Sequence, residues 1–427
     1  MCKTKMATNV SEPTRARPRR YSAPPTPPPR TRSEFMSTTA LSSLFTATGA
    51  STSSGTSSSV ASRTSLASLR DSLPDNPHIY DVEEIRVATN SFLGRRLPSS
   101  SSTASWRCNL RGKEAVVFQR KFRRRIAMFE LRDWLSVICR SHHRSIINLL
   151  GASVSDGGGG GDHVYLVYKY VHGATLADCL RNPRNPNFTV LSSWISRIRI
   201  AADLAHGLDY IHNKTGLKIR NLVHNHINSS AVIVTEPDLN AKICHFGTAQ
   251  LRGETDEVSS DRDEPQKLKR SDSNALRFEG VRGYMSPEFQ ATGIATQKSD
   301  VYAFGVTMLE LLSGEEPLRY KFDKSAGNFE RTSVIETAAM AAAIDSGEGE
   351  REGRLRRWMD QRLRDSFPVT VVEELMKLAL ECVEDESEKR PEMGRVAGKI
   401  SKLYLESEKW SERMQPPVDF TVSMAPR

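Results

Sequence analysis

Three histidines and a cysteine, all capable of ligation or proton transfer, fall between residues 224 and 245: His224, His226, Cys244 and His245. An imidazole titrates near neutrality, so His226 is a candidate general base. Imidazole and thiolate together suit zinc, so His226, His245 and Cys244, with His224, are also a candidate metal set. Cys244 and His245 are adjacent on an extended run, however, and should point to opposite sides, which works against joint ligation. Three serines are candidates for phosphorylation. Ser22 follows Arg19 by three residues and precedes Pro24 by two, a 14-3-3 type docking pattern. Ser271 and Ser273 follow the basic half of a charged stretch, Arg252–Arg277, whose first half carries Glu254, Asp256 and Glu257. That stretch has no periodicity and reads as a solvated loop or a phosphorylated switch.

The elements that must position these groups are legible from periodicity. An apolar step leads into the His224–His226 turn, and a β-type run Val232-Ile233-Val234 follows. A turn then precedes Ala241-Lys242-Ile243, and the stretch closes on His245-Phe246-Gly247. Upstream, order begins near His78-Ile79-Tyr80, and a leading helix over 79–92 has an N-cap at Asp81 and acids in its first turn. Strand-like runs follow at Ser105–Leu110, Glu114–Gln119, Ile146–Gly151 and His163–Val171, with one long helical run at Ile126–Arg140. Beyond Leu176 the pattern is helical, with runs at Leu191–His212, Asp300–Ser313, Thr332–Asp345, Leu355–Asp360, Val371–Val383 and Pro391–Ser407. The last twenty residues look frayed. The fold class is therefore α+β: a small β-rich lobe over 93–170, a large mainly helical lobe over 171–405, and a short tail over 406–427.

Composition bounds the rest. The chain has 427 residues and a formal charge of +9. Residues 1–78 hold ten Lys and Arg against four acids and few large apolar side chains, so they read as a disordered basic tail. Alternatives for that tail are an acylated Cys2 and an organelle transit peptide. Six cysteines lie far apart with no CxxC pair, as expected of free thiols in a reducing compartment. No apolar run approaches the ~18 residues of a membrane span. The expectation is a cytoplasmic protein, peripheral at a membrane if there at all, with no nucleic-acid partner.

Several stretches, in order, resemble a protein kinase domain of the plant receptor-like kinases, with LysM-type receptor kinases nearest in wording: Leu208–His212 (LDYIH), His224–Val234, Gly283–Phe289 (GYMSPEF), Lys298–Gly305 (KSDVYAFG), Leu309–Gly314 (LELLSG) and Lys389–Met393 (KRPEM). The resemblance covers roughly residues 90–405 and implies a bilobal kinase-like fold. It also assigns roles, and these are where the chain departs from the pattern. The phosphate-covering loop, after Leu93-Gly94, has no further glycine and ends at the bulky Trp106. Phe118 stands in place of the phosphate-holding lysine, and Trp134 in place of its glutamate partner, which suggests an aromatic pair replacing an ion pair. His226 replaces the base aspartate, Ala231 the metal-binding asparagine, and His245 the principal metal-binding aspartate. Arg120 or Lys121 could substitute for the missing cation.

The resemblance also implies that structural residues survive. His224 packs against Phe246 next to Gly247, Asp300 caps the catalytic-loop backbone, and Glu288 with Arg390 forms a buried ion pair. The resulting expectation is a pseudokinase with no intact catalytic residue and no metal. No cofactor is expected beyond ATP bound without Mg²⁺, and active receptor-like kinases are the expected partners. An atypical Ser/Thr kinase is the alternative, and a His/Cys metal-binding module the minor one.

Overall fold

A computed structural model describes residues 78–94, 104–123, 126–155, 163–214, 222–255, 280–323, 327–343 and 347–414. The basic tail with Cys2 and Ser22, the run after Gly94 and the segment holding Ser271 and Ser273 lie outside these residues.

The small lobe is a five-stranded sheet and two helices. Strand β1 (His78–Ile79) leads into α1 (Val82–Ala88), whose N-cap Asp81 accepts from the Glu83 N–H at 3.0 Å. Strands β2 (Ser105–Leu110) and β3 (Lys113–Lys121) form a hairpin across Arg111-Gly112, both at positive φ, as a two-residue turn of this kind requires. Helix α2 (Met128–Cys139) connects to β4 (Leu149–Ser155) and β5 (His163–Lys169), and the sheet order is β1-β4-β5-β3-β2. Four strand-like runs are anticipated from sequence. The fifth strand, β1, is only two residues long and pairs in parallel with β4.

Alternation along β2 and β3 sends Ser105 and Phe118 to one face and Trp106 and Val117 to the other. Trp106 is thus not a lid on the cleft. Its ring lies 5.1 Å from Phe92, its Nε1–H donates to the Phe92 carbonyl at 3.0 Å, and Phe92 stacks in turn on Tyr165. This outer face joins the small core under α1, around Ile85, Leu110 and Val117.

The large lobe begins with β6 (Gly173–Thr175), α3 (Leu176–Arg181), α4 (Asn187–Val190) and the long α5 (Trp194–Asp209). A wide turn at Tyr210–Lys214 follows α5. Strands β7 (Val232–Thr235) and β8 (Ala241–Ile243) pair with β6 as a three-stranded sheet. Then come α6 (Thr248–Arg252), α7 (Pro287–Thr292) and α8 (Gln297–Ser313). Helix α8 opens on a capping box between Thr296 and Ser299, and fifteen of its seventeen residues are buried, which makes it the axis of the lobe.

Two sequence expectations need correction here. The helix anticipated from Thr332 is preceded by an antiparallel hairpin, β9 (Leu318–Asp323) and β10 (Asn328–Ser333), and starts only at Val334 as α9 (Val334–Ala342). Leu318, Tyr320 and Phe322 alternate with Arg319, Lys321 and Asp323 in a strand pattern, and in the folded chain Tyr320 and Phe322 are exposed. After α10 (Glu348–Trp358) and α11 (Val369–Cys382), the final helix α12 (Met393–Met414) runs past the expected boundary at 405. Its apolar stripe, including Leu403, packs along α5, and Ser407 accepts from Trp194 Nε1 at 2.9 Å. This contact holds residues that look frayed when only local composition is considered.

Candidate functional site: the cleft and its histidine loop

The cleft lies between the sheet of the small lobe and the β6-β7-β8 sheet. It encloses about 270 Å³ between Val116 and Phe118 above and Ile233 and Cys244 below, closed at the back by Tyr168. Its walls are mostly apolar, which suits a flat ring system better than a polyanion.

The loop beneath it is held by Asp300, in the first turn of α8. Asp300 is 1% exposed and accepts from the backbone N–H of His224 at 2.6 Å and of Asn225 at 2.7 Å. It also lies 3.0 Å from His212 Nε2, which the turn after α5 carries inward. Asn225 is consequently held at φ +60°. His224 is buried with both ring nitrogens engaged: Nε2–H donates to the Cys244 carbonyl at 2.7 Å, and Nδ1 accepts from the His226 N–H at 3.2 Å. Burial drives its pKa down to about 4, so the ring is neutral. The Glu288–Arg390 pair forms as a two-pronged fork at 2.6 and 2.8 Å. Gly247 sits at φ +83°, where a methyl group would lie 2.6 Å from Ile138 of α2, so the turn after Phe246 admits only glycine.

The altered positions cluster differently from the sequence expectation. Phe118 does not pair ring to ring with Trp134. Its ring meets His245 edge-on at 4.6 Å and Tyr168 at 5.9 Å, while Trp134 is half-buried on α2 against the central core. The reason is distance across the lobe interface: His245, at φ +66°, turns up under β3 and reaches Phe118 first. Tyr168 completes the wall by donating its hydroxyl to the Phe246 carbonyl at 2.9 Å. Arg120 shares the face of Phe118, as period two demands, with its guanidinium 5.8 Å from that ring. Burial, reinforced by the Arg120 charge, holds the His245 imidazole well below its ordinary pKa, so it too is neutral. Lys121 is exposed, and only its carbonyl reaches the site, accepting from Arg252 Nε at 2.9 Å. Ala231 is buried and donates its N–H to the Asn228 side chain at 3.0 Å.

One residue of the site is invisible to sequence reasoning. Glu254 belongs to a stretch whose composition suggests a solvated loop, yet its side chain is 2% exposed and lies against the histidine loop. It accepts from Asn225 Nδ2 at 2.9 Å, sits 3.1 Å from His226 Nε2, and pairs with Arg252 Nη1 at 2.6 Å. Nothing local marks it. It is simply an acid in an acidic stretch, and only the turn of α6 back toward the loop, with α6 packed on α2, decides its burial. The His/Cys metal set likewise does not assemble: His224 has no free nitrogen, and no group of three or more His, Cys, Asp or Glu among the described residues is arranged to hold a metal ion.

Residues 119–400 match the protein tyrosine and serine/threonine kinase family. The chain belongs to that family. Within it, the chain is 30% identical over 336 residues to LysM domain receptor-like kinase 3 of Arabidopsis thaliana, covering 79% of this chain and 48% of that one. It is 28% identical over 319 residues to the probable serine/threonine-protein kinase PBL28 of Arabidopsis thaliana, covering 73% and 75%. The chain spans about half the length of the LysM relative it matches. Among solved structures, the pseudokinase domain of BIR2, an immune regulator of the RLK/Pelle family, superposes with a TM-score of 0.56 at 22% identity, covering 81% of this chain and 96% of that one. That likeness concerns the fold. The kinase-family match begins at Gln119, one residue beyond Phe118.

The electrostatics of this kinase-family loop predict acid sensitivity. Burial alone would raise the Glu254 carboxyl, but the His226 and Arg252 charges and the Asn225 hydrogen bond outweigh it and bring the pKa to about 2, below the ordinary 4.5. A folded pKa below the unfolded one gives stability that is present above pH 4.5 and lost as pH falls through about 2. For Glu254 this amounts to about 3 kcal/mol in all. His224 adds a loss beginning at its ordinary 6.5 and complete below about 4. Urea denaturation at stepped pH should show both phases in the wild type. In Glu254→Gln the loss below pH 4.5 should be smaller by about 3 kcal/mol, the remainder coming from His224 and from other carboxylates held low by their partners, such as Glu288 and Asp360. An unchanged profile would contradict the assignment.

Proposed function

We propose that this chain is a kinase-fold protein that does not transfer phosphate and acts as a scaffold or allosteric partner of active receptor-like kinases. The observation that carries the reading is the state of His245. At the position that must offer a carboxylate to a metal, a neutral imidazole is packed edge-on against Phe118. Phosphoryl transfer depends on positioned metal charge and a base near the nucleophile. Mg²⁺ prefers hard oxygen ligands, and His245 and Ala231 supply none from their side chains. The residues present do not fit that ion. His226 is directed at Glu254 rather than free to receive a proton from a substrate hydroxyl. The retained framework of Asp300, His224, Glu288 and Arg390 supports a role in which shape is the active property. The cleft still has room for a base, so ATP bound without Mg²⁺ is compatible with this reading.

The test is a thermal-shift titration of the full chain with ATP, with and without Mg²⁺, beside a radiolabelled transfer assay on a generic protein substrate. The expected result is no Mg²⁺-dependent shift and no transfer. Transfer that disappears in His226→Ala would overturn the proposal in favour of an atypical kinase.

A further inference from the structure

A second cavity, of about 320 Å³, opens beside the cleft and shares Ile147, Lys169 and Val171 with it. Its basic lining comes from three chain segments: His142, His143 and Arg144 after α2, Lys169 at the end of β5, and Lys242 in the middle of β8, of which Arg144, Lys169 and Lys242 are the cations. No acid among the described residues lines it. The nearby carboxylate of Asp203 on α5 is buried, and it is already engaged by Arg144 at 2.7 Å and by the Ala241 N–H at 2.9 Å.

The backbone that carries these groups is pinned across the three segments. The Ile147 N–H donates to the Ile243 carbonyl at 2.9 Å, the Ile243 N–H to the Ser145 carbonyl at 2.8 Å, and the Lys169 N–H to the Asn148 carbonyl at 3.0 Å. Lys242 Nζ is anchored on the Arg144 carbonyl, which leaves its other two N–H bonds for a ligand. Burial holds the Lys242 ammonium below its ordinary pKa, Asp203 offsets this only in part, and Lys169 and Arg144 push it further down. Like charges gathered in one concavity repel one another, and a bound anion relieves that repulsion.

We propose that this cavity binds a phosphorylated side chain, a phosphoserine or phosphothreonine monoester on a partner polypeptide. A phosphomonoester carries nearly two negative charges and three acceptor oxygens, matching Arg144, Lys169 and Lys242 better than one carboxylate does. The cavity is larger than a phosphate group, and the remaining floor, Ile146, Ile147 and Val171, is apolar. That floor fits the aliphatic part of an amino-acid residue and not the hydroxyl-covered ring of an inositol headgroup. Because Ile147 and Val171 face both cavities, an occupant here also presses on the wall of the cleft.

The inference does not depend on whether the chain transfers phosphate, since its test uses no nucleotide. The full chain is titrated calorimetrically with the peptide acetyl-Ala-Ala-phosphoserine-Ala-Ala-amide and with its unphosphorylated form. In parallel it is sedimented with phosphatidylcholine vesicles carrying phosphatidylinositol 4-phosphate. Binding should require the phosphate, weaken with salt, and fall about tenfold or more in Lys169→Glu, at an exposed position. Lys242→Gln should weaken binding in the same direction. Equal affinity for the two peptides, indifference to both substitutions, or capture by the vesicles in preference to the phosphopeptide would each overturn the proposal.

Discussion

Asp300→Ala is expected to destabilise the fold by about 3–5 kcal/mol, read as a fall in the urea midpoint at neutral pH. The carboxylate receives two backbone N–H bonds, from His224 at 2.6 Å and Asn225 at 2.7 Å, and lies 3.0 Å from His212 Nε2. Removing it strands at least one fully buried donor, since His224 is 0% exposed. Each orphaned donor loses about 1–3 kcal/mol of desolvation that nothing offsets. It also frees Asn225 from its left-handed conformation, and with it the contact from Asn225 Nδ2 to Glu254. Asp300→Asn keeps the volume and one acceptor oxygen, so it should fall between Ala and wild type. A loss for Asp300→Ala below about 1 kcal/mol would mean that the loop is not held from α8.

Arg390→Ala should have an effect of similar size, about 3–5 kcal/mol, for a different reason. All of the guanidinium's directions are used. Nε donates to the Glu384 carbonyl at 2.7 Å, and the two Nη atoms grip Glu288 while also reaching the Lys298 carbonyl at 2.9 Å and the Asp385 carbonyl at 3.2 Å. The side chain is 0% exposed and covers the Tyr302 ring at 5.1 Å. Truncation therefore removes an ion pair, leaves three carbonyls without this donor and opens a cavity. Arg390→Lys separates charge from shape. An ammonium can meet one oxygen of Glu288 but cannot reproduce the fork, so Lys should recover less than half of the loss. Near-complete recovery with Lys would show that charge alone matters at this position.

Both residues are picked out in the sequence by the resemblance of their stretches, KSDVYAFG and KRPEM, to kinase-family motifs. The same holds for Phe118, His226, Ala231 and His245, which stand out as substitutions only against the pattern of that family. The hairpin β9–β10 and the last turns of α12 lie outside those motifs. The first exposes the aromatic residues that usually mark a buried face. The second depends on Trp194 of α5, 213 residues from its partner Ser407 in the chain.

What the chain determined by itself is thus the order of its elements and the chemical type of each group in the cleft, since periodicity and residue identity are properties of neighbours in sequence. Which groups meet is a property of the folded lobes. His245 meets the Phe118 ring edge-on, and its turn at φ +66° sets it under β3. Glu254 leaves a charged stretch to lie buried against His226 because Arg252, Asn225 and His226 converge there from two segments, and only their combined charge and hydrogen bonds outweigh the penalty of burying a carboxylate. The cationic cavity beside the cleft likewise exists only where three distant segments are pinned edge to edge.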